Sequence, residues 1–210
     1  MNTAPKDFDS TLDDDAVVIG STDLFGGFTS LRFNPKDVEL TPPATAEMVV
    51  KHFKPSGRML DPCRGDGAFW NHMPGAEWCE IREGRDFMEW ETPVDWIVSN
   101  PPYSSLLGFL RHSFKVADNV VYAIPAGKVF QSIPYLDLIN QYGGIREILI
   151  LGRGRAIGLP LGFAVAAVHF KRGYKGETRI IYPPNSELNP LKVPIINSPH
   201  EDRRRSPGLL

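Results

Sequence analysis

The chain has 210 residues, 42% of them hydrophobic, and carries 25 acidic against 23 basic side chains for a net charge of −2. That suffices for one packed domain plus tails, while no run reaches the ~18 apolar residues of a membrane span and "MNTAPKDFDSTLDDD" lacks a signal peptide's apolar stretch. Two cysteines, Cys63 and Cys79, make neither a disulfide framework nor a zinc site, so an intracellular, cytoplasmic setting is expected.

Charge is unevenly spread. Residues 1–100 hold 9 basic and 18 acidic side chains, a balance of −9, whereas residues 101–210 hold 14 and 7, a balance of +7. A basic second half suggests a polyanion as partner.

Residues 1–28, with Asp13, Asp14 and Asp15, read as an acidic arm. Residues 29–182 then form the domain. "TAEMVVKHF" (45–53) has helical spacing. "GRMLDPC" (57–63) is a short strand ending in a turn, and "EWCEI" (77–81) a second strand. "DWIVSN" (95–100) is continuously apolar, as a strand buried on both faces is. "SLLGFLRHSFKVA" (105–117) is a helix, "NVVYAIP" (119–125) another buried strand, and "YLDLINQY" (135–142) a further helix. "REILIL" (146–151) and "FAVAAVHFKR" (163–172) are strands joined by a glycine-rich loop, with no helix between them. Alternation of strands and helices predicts an α/β fold, a mostly parallel sheet with helices on both faces, and the last two strands make an antiparallel pair at one edge. Residues 183–210, rich in Pro and Asn and ending in Arg203, Arg204 and Arg205, read as a basic tail.

Chemistry concentrates at strand ends. In "LDPCRGDGAFW" (60–70) an acidic residue, Asp61, closes a strand, and Gly65 and Gly67 follow, so backbone amides can approach a ligand. Glu80 ends the next strand about twenty residues on, where an acidic side chain takes ribose hydroxyls in open α/β sheets. Asp86 and Phe87 in "GRDFMEW" stand where an adenine edge could be read. Thr41 precedes two prolines and a helix entry. Then "IVSNPPYSS" (97–105) ends a buried strand in two prolines, which stop the sheet and stiffen the turn. The five histidines, His52, His72, His112, His169 and His200, are scattered without ligand spacing, so no metal is expected.

In this order, "TPP", "DPCRGDGAF", "CEI", "DF" and "NPPY" resemble the S-adenosylmethionine-dependent amino-methyltransferases, most of all the γ-type adenine-N6 DNA methyltransferases. The resemblance covers roughly residues 39 to 172, since "VVYAIPAGKVF" and "FAVAAVHFKR" look like that family's later strands. It implies a Rossmann-like class I methyltransferase fold with a seven-stranded sheet. It further implies that Asp61, Gly65 and Gly67 line the methionine end of S-adenosylmethionine, with Thr41 near its carboxylate. Glu80 would hold the ribose, Ile81 would pack on the adenine, and Asp86 and Phe87 would read its edge. An exocyclic amine is a poor nucleophile because its lone pair is delocalised into the ring. The Asn100 side-chain carbonyl and the Pro101 backbone carbonyl can accept its two N–H groups and stabilise charge on nitrogen during transfer. Pro102 stiffens the turn, and Tyr103 would stack on the target base, flipped from its duplex at a cost of roughly a few kcal/mol.

In the loop "GRGRAIGLPLGF" (152–163), Arg153 and Arg155 can meet phosphates. The γ-type enzymes carry an aromatic here as the second face of the base sandwich. This chain has Ile157, Gly158 and Leu159 instead, so Phe163 and Phe130 become the candidates. The tetrapeptide suits any planar amine or amide, which leaves RNA adenines as the second reading after DNA. A catalytically inert fold that binds nucleic acid or a partner is the third, though the glycines and the tetrapeptide are intact. Fewer than 40 residues follow residue 172 and read mostly as tail, so target recognition is expected to come from loops, a partner chain or self-association, or to be low. Such a compact enzyme would suit a phage or mobile element.

Overall fold

The computed structural model describes residues 40–182, so the acidic arm (1–28) and the basic tail (183–210) lie outside the described residues. Seven strands, β1 Met59–Asp61, β2 Glu77–Trp78, β3 Val94–Ser99, β4 Ala117–Pro125, β5 Gly143–Arg153, β6 Ala164–Arg172 and β7 Arg179–Ile181, form one sheet in the order β2-β1-β3-β4-β6-β5-β7. β1 pairs in parallel with β2 and β3, β3 with β4, and β5 with β7. β6 runs antiparallel to both of its neighbours, β4 and β5. The predicted antiparallel pair is therefore present, with β7 added outside it as the edge. β7 has only three residues and follows a charged turn, so no apolar run announces it.

Three helices flank the sheet: α1 Pro43–Phe53, α2 Leu106–Val116 and α3 Ile133–Tyr142. Alternating side chains of the buried strands feed two separate cores, because successive residues of a strand point to opposite faces. Val120, Tyr122 and Ile124 of β4 join Leu106, Phe109, Leu110 and Phe114 of α2 and Ile139 and Tyr142 of α3. Val121 and Ala123 join Ala46, Val49 and Val50 of α1 together with Phe69 and Met73. The helix spacing of α2 thus delivers one apolar stripe, as read from the sequence.

Two of the junctions have no loop at all. α2 ends at Val116 and β4 starts at Ala117; α3 ends at Tyr142 and β5 starts at Gly143. The second junction requires glycine, since a Cβ on Gly143 would lie 2.2 Å from the Lys171 carbonyl oxygen and 2.5 Å from the Gly173 nitrogen. The opposite end of the sheet carries the longer connections. Between β1 and β2 there is a turn and one helical turn, Trp70–His72, rather than a full helix. Chain order reverses about β1, with β2 on one side and β3 on the other. In an open α/β sheet, the crevice beyond the carboxyl ends at such a reversal is where ligands bind.

Candidate active site

The carboxyl ends of β1 and β3 meet at that reversal, so Asp61 and Ser99 become neighbours. Asp61 is fully buried. Its Oδ1 accepts from Ser99 Oγ at 2.6 Å and, more weakly, from the Cys63 backbone N–H at 3.4 Å. Its Oδ2 is buried without a well-formed hydrogen bond among the described residues, although the Trp70 backbone N–H also acts on the carboxylate. Burial pushes the Asp61 carboxyl from its ordinary 3.8 up to about 7, against the pull of those hydrogen bonds, with Glu80 adding to the rise. A buried oxygen so weakly partnered is costly, and it is a natural seat for a cation.

Cys63 links this carboxylate to the tetrapeptide. Its Sγ lies 3.1 Å from Ser99 Oγ and 3.4 Å from the Asn100 backbone oxygen. Burial raises the thiol well above its ordinary range, so it stays an uncharged donor. Sequence reasoning overlooked Ser99, which looked like one more residue of a buried strand. The signal was its place beside Asp61 once β1 and β3 are paired.

Asn100 follows β3 directly, and its Nδ2 donates to Thr41 Oγ1 at 3.0 Å. That bond uses one of the amide's two N–H groups and fixes the side chain's orientation. Thr41, expected near the cofactor carboxylate, is thus brought to Asn100. Pro101 and Pro102 stop the strand, and Tyr103 opens a single helical turn, partly buried against the α2 core. A cavity of about 300 Å³ is lined by Leu40, Thr41, Cys63, Gly65, Phe69 and Asn100, among others.

Gly65 and Gly67 both have positive φ, +55° and +91°, and a Cβ on Gly67 would meet Asn71 Nδ2 at 3.1 Å. The Gly65 N–H donates to Glu80 Oε2 at 2.8 Å, which joins the glycine turn to the end of β2. A second cavity of about 480 Å³ opens on this side, lined by Arg64, Gly65, Asp66, Gly67, Trp70, Asn71, Arg82 and Glu83. Burial pushes Glu80 up, but hydrogen bonds from Arg82 and Gly65 outweigh it and hold the carboxyl below its ordinary range. Ile81 stands half-buried at the start of the next helical turn.

Other expected site residues are placed differently. Asp86 caps a helical turn, accepting from the Met88 N–H at 2.8 Å. The Phe87 ring is buried, stacked on Phe109 at 5.5 Å and edge-on to His112 at 4.7 Å, so only its backbone remains for a ligand. Ile157 and Leu159 are buried in the α1 core, and Thr45 Oγ1 donates to the Ile157 carbonyl at 3.2 Å. Their apolar character therefore serves packing. Phe130 and Phe163 are exposed, at 51% and 46%. Phe163 precedes β6, whose Val165 pairs with Pro125 of β4, and Phe130 follows β4, so both lie at the site end of the sheet. Arg153 and Arg155, both exposed, flank the β5–β6 connection at the same end. Among the described residues no group of His, Cys, Asp or Glu side chains is arranged to hold a metal ion, and no helix is long and apolar enough to cross a membrane.

No family profile and no curated protein matches the chain. Solved structures do. A chain of a type I restriction-modification system complex is 15% identical over 69% of this chain and 45% of that one, with a TM-score of 0.53. A protein assigned as the modification subunit of a type I restriction enzyme from Vibrio vulnificus is 15% identical over 72% and 49%, with a TM-score of 0.52. A protein assigned to the class I S-adenosylmethionine-dependent methyltransferases of Listeria monocytogenes is 12% identical over 71% and 67%, also at 0.52. The fold is that of the S-adenosylmethionine-dependent methyltransferases. This chain spans about half the length of the first two of these structures. The sheet has the seven strands that the family resemblance implied and the antiparallel pairing read from the order of the elements.

Proposed function

We propose that this protein transfers a methyl group from S-adenosylmethionine to the N6 amine of adenine in nucleic acid, DNA before RNA. The observation that carries this reading is the setting of Asn100. Its amide nitrogen is held by Thr41 in the lining of the cavity beside Gly65, and its carbonyl oxygen is the group that would accept from an incoming amine.

The residues suit the cofactor. Asp61 Oδ2, buried and without a well-formed hydrogen bond among the described residues, fits the ammonium of the methionine end. Gly65 and Gly67 keep the turn clear of side chains, and Glu80 stands where a ribose diol would be held. S-adenosylmethionine would supply an electrophilic methyl group. The chain's own task is to orient the acceptor. Asn100 Oδ1 and the Pro101 carbonyl each accept one N–H of the amine, which turns its lone pair out of conjugation and stabilises the charge that develops on nitrogen. The proton is shed after transfer, so no strong base is required. Tyr103 offers a ring face to the base, and Phe130 and Phe163 are the exposed aromatics available for its other face. Arg153 and Arg155 suit the phosphates. The type I restriction-modification likeness favours DNA and a partner chain that supplies target recognition.

The test is methyl transfer from labelled S-adenosylmethionine to unmethylated duplex DNA, single-stranded DNA and total RNA in parallel, with nucleoside mass spectrometry. N6-methyladenine in DNA supports the reading, and label confined to RNA replaces the substrate. Absence of label in all three, with protein that binds S-adenosylmethionine, refutes it.

A further inference from the structure

Glu80, the expected ribose acceptor, is already occupied in this structure. Its Oε1 accepts from the Arg82 backbone N–H at 3.2 Å and from Arg82 Nε at 2.7 Å, while Oε2 accepts from the Gly65 N–H at 2.8 Å. An ionised carboxylate offers about four lone-pair sites, two on each oxygen. Oε1 is therefore filled and Oε2 has one site left. A vicinal diol captured across a carboxylate donates to both oxygens, so one of the two donors on Oε1 must leave.

The two donors are not equally free to go. The Arg82 N–H is fixed, since Glu80 caps the helical turn Ile81–Glu83 through it. The guanidinium hangs on a flexible stem, and its side chain is 44% exposed. It borders the cavity of about 480 Å³ beside the glycine turn, together with Asp66 and Glu83. Both of those carboxylates act on its charge. Asp66 is exposed, whereas Glu83 already pairs with Arg64, which is itself stacked 3.9 Å over Trp78. Asp66 is thus the acidic neighbour best able to receive a displaced guanidinium.

We propose that Arg82 is a positioning residue that sets cofactor affinity by competing for Glu80. Its Nε holds the place on Oε1 that a ribose hydroxyl would take, and binding of a ribonucleoside ligand moves the guanidinium towards Asp66. The proposal rests on Glu80 being the ribose acceptor. It has a consequence opposite to that of an ordinary structural ion pair, because removing Arg82 strengthens binding. The gain is roughly three- to tenfold, the scale of a charge-assisted hydrogen bond discounted for a half-exposed partner.

The experiment is calorimetry of S-adenosylhomocysteine with the full chain, its Arg82→Met and Arg82→Lys variants, and each change combined with Glu80→Gln. Arg82→Met should bind more tightly than wild type, Arg82→Lys should fall between, and the differences should vanish with Glu80→Gln. Raising the salt from about 50 mM to about 500 mM should narrow the gap between wild type and Arg82→Met, since screening weakens the competing pair. A misfolded variant would bind less, not more, and thermal melts identify it; Arg82→Lys then carries the comparison. Binding by wild type with unchanged or weaker binding by well-folded Arg82 variants overturns the competition alone. No binding by wild type overturns the cofactor reading and the competition with it.

Discussion

Asp61→Asn isolates the charge at the centre of the site without altering its shape. The carboxyl is fully buried, and its pKa rises from 3.8 to about 7. A rise of roughly three units corresponds to roughly 4 kcal/mol of penalty for keeping the group ionised in the fold. The sign follows from proton counting. Well below 3.8, at about pH 3 and under, both folded and unfolded chains hold the proton, and the group exerts no pH-dependent penalty. As pH rises towards 7 the unfolded chain releases it first, so wild-type stability falls across that window and levels off above it. Asn resembles the protonated acid, including a donor at the Oδ2 position, so the variant skips this loss. Thermal melts of the ligand-free proteins should therefore converge near pH 3 and separate by about 8–16 °C at pH 8, at about 2–4 °C per kcal/mol for a domain of this size. Affinity for S-adenosylhomocysteine should run the other way, with wild type tightening as pH approaches 7 and Asp61→Asn staying weak throughout. A separation that is constant between pH 4 and pH 8 would refute the argument, because it would mean that Asp61 titrates alike in both states.

Asn100→Ala should lower turnover by about 10²–10³-fold, the scale of losing one oriented polar group at the reacting centre. Cofactor affinity by calorimetry should stay within about twofold. Gly67→Ala places a side chain at φ +91° and against Asn71, so chemical denaturation should register a loss of about 1–3 kcal/mol. Glu147 is buried and receives Arg179 Nε at 3.0 Å as well as a bond from His52, so it fastens β7 to the sheet. Glu147→Ala should accelerate amide hydrogen exchange at residues 179–181 selectively, at a cost of about 1–3 kcal/mol in urea melts. Phe114→Ala empties a buried ring stacked 3.8 Å from Tyr142 and should cost about 3–5 kcal/mol.

Long apolar or amphipathic segments were legible because burial imposes a period on them. β3, β4, β6 and α2 were read close to their observed bounds for that reason. β7 was not, since three residues beside a charged turn carry no period. The polar centre was legible where backbone geometry demands a residue type. Prolines that stop β3, glycines with positive φ and an acid closing β1 are of this kind. Partnerships between side chains were harder to read, because they depend on register. Ser99 with Asp61 appears only when β1 and β3 are paired, and Thr41 with Asn100 only when the start of α1 is folded against the end of β3. Phe87 illustrates the reverse difficulty. Its motif position points to a ligand, while its ring is drawn into the α2 core by the same hydrophobicity that made it conspicuous.

The two loopless junctions, Val116 to Ala117 and Tyr142 to Gly143, divide the molecule into a closed pole and an open one. At the closed pole an inserted residue would shift a whole strand against its neighbours and turn its inward side chains outward. Spare chain on the side of the site lies in the connections 126–132 and 154–163, at the carboxyl ends of β4 and β5. Residues inserted in either of these two connections would lengthen the rim on the side of the glycine turn and leave the strand register untouched.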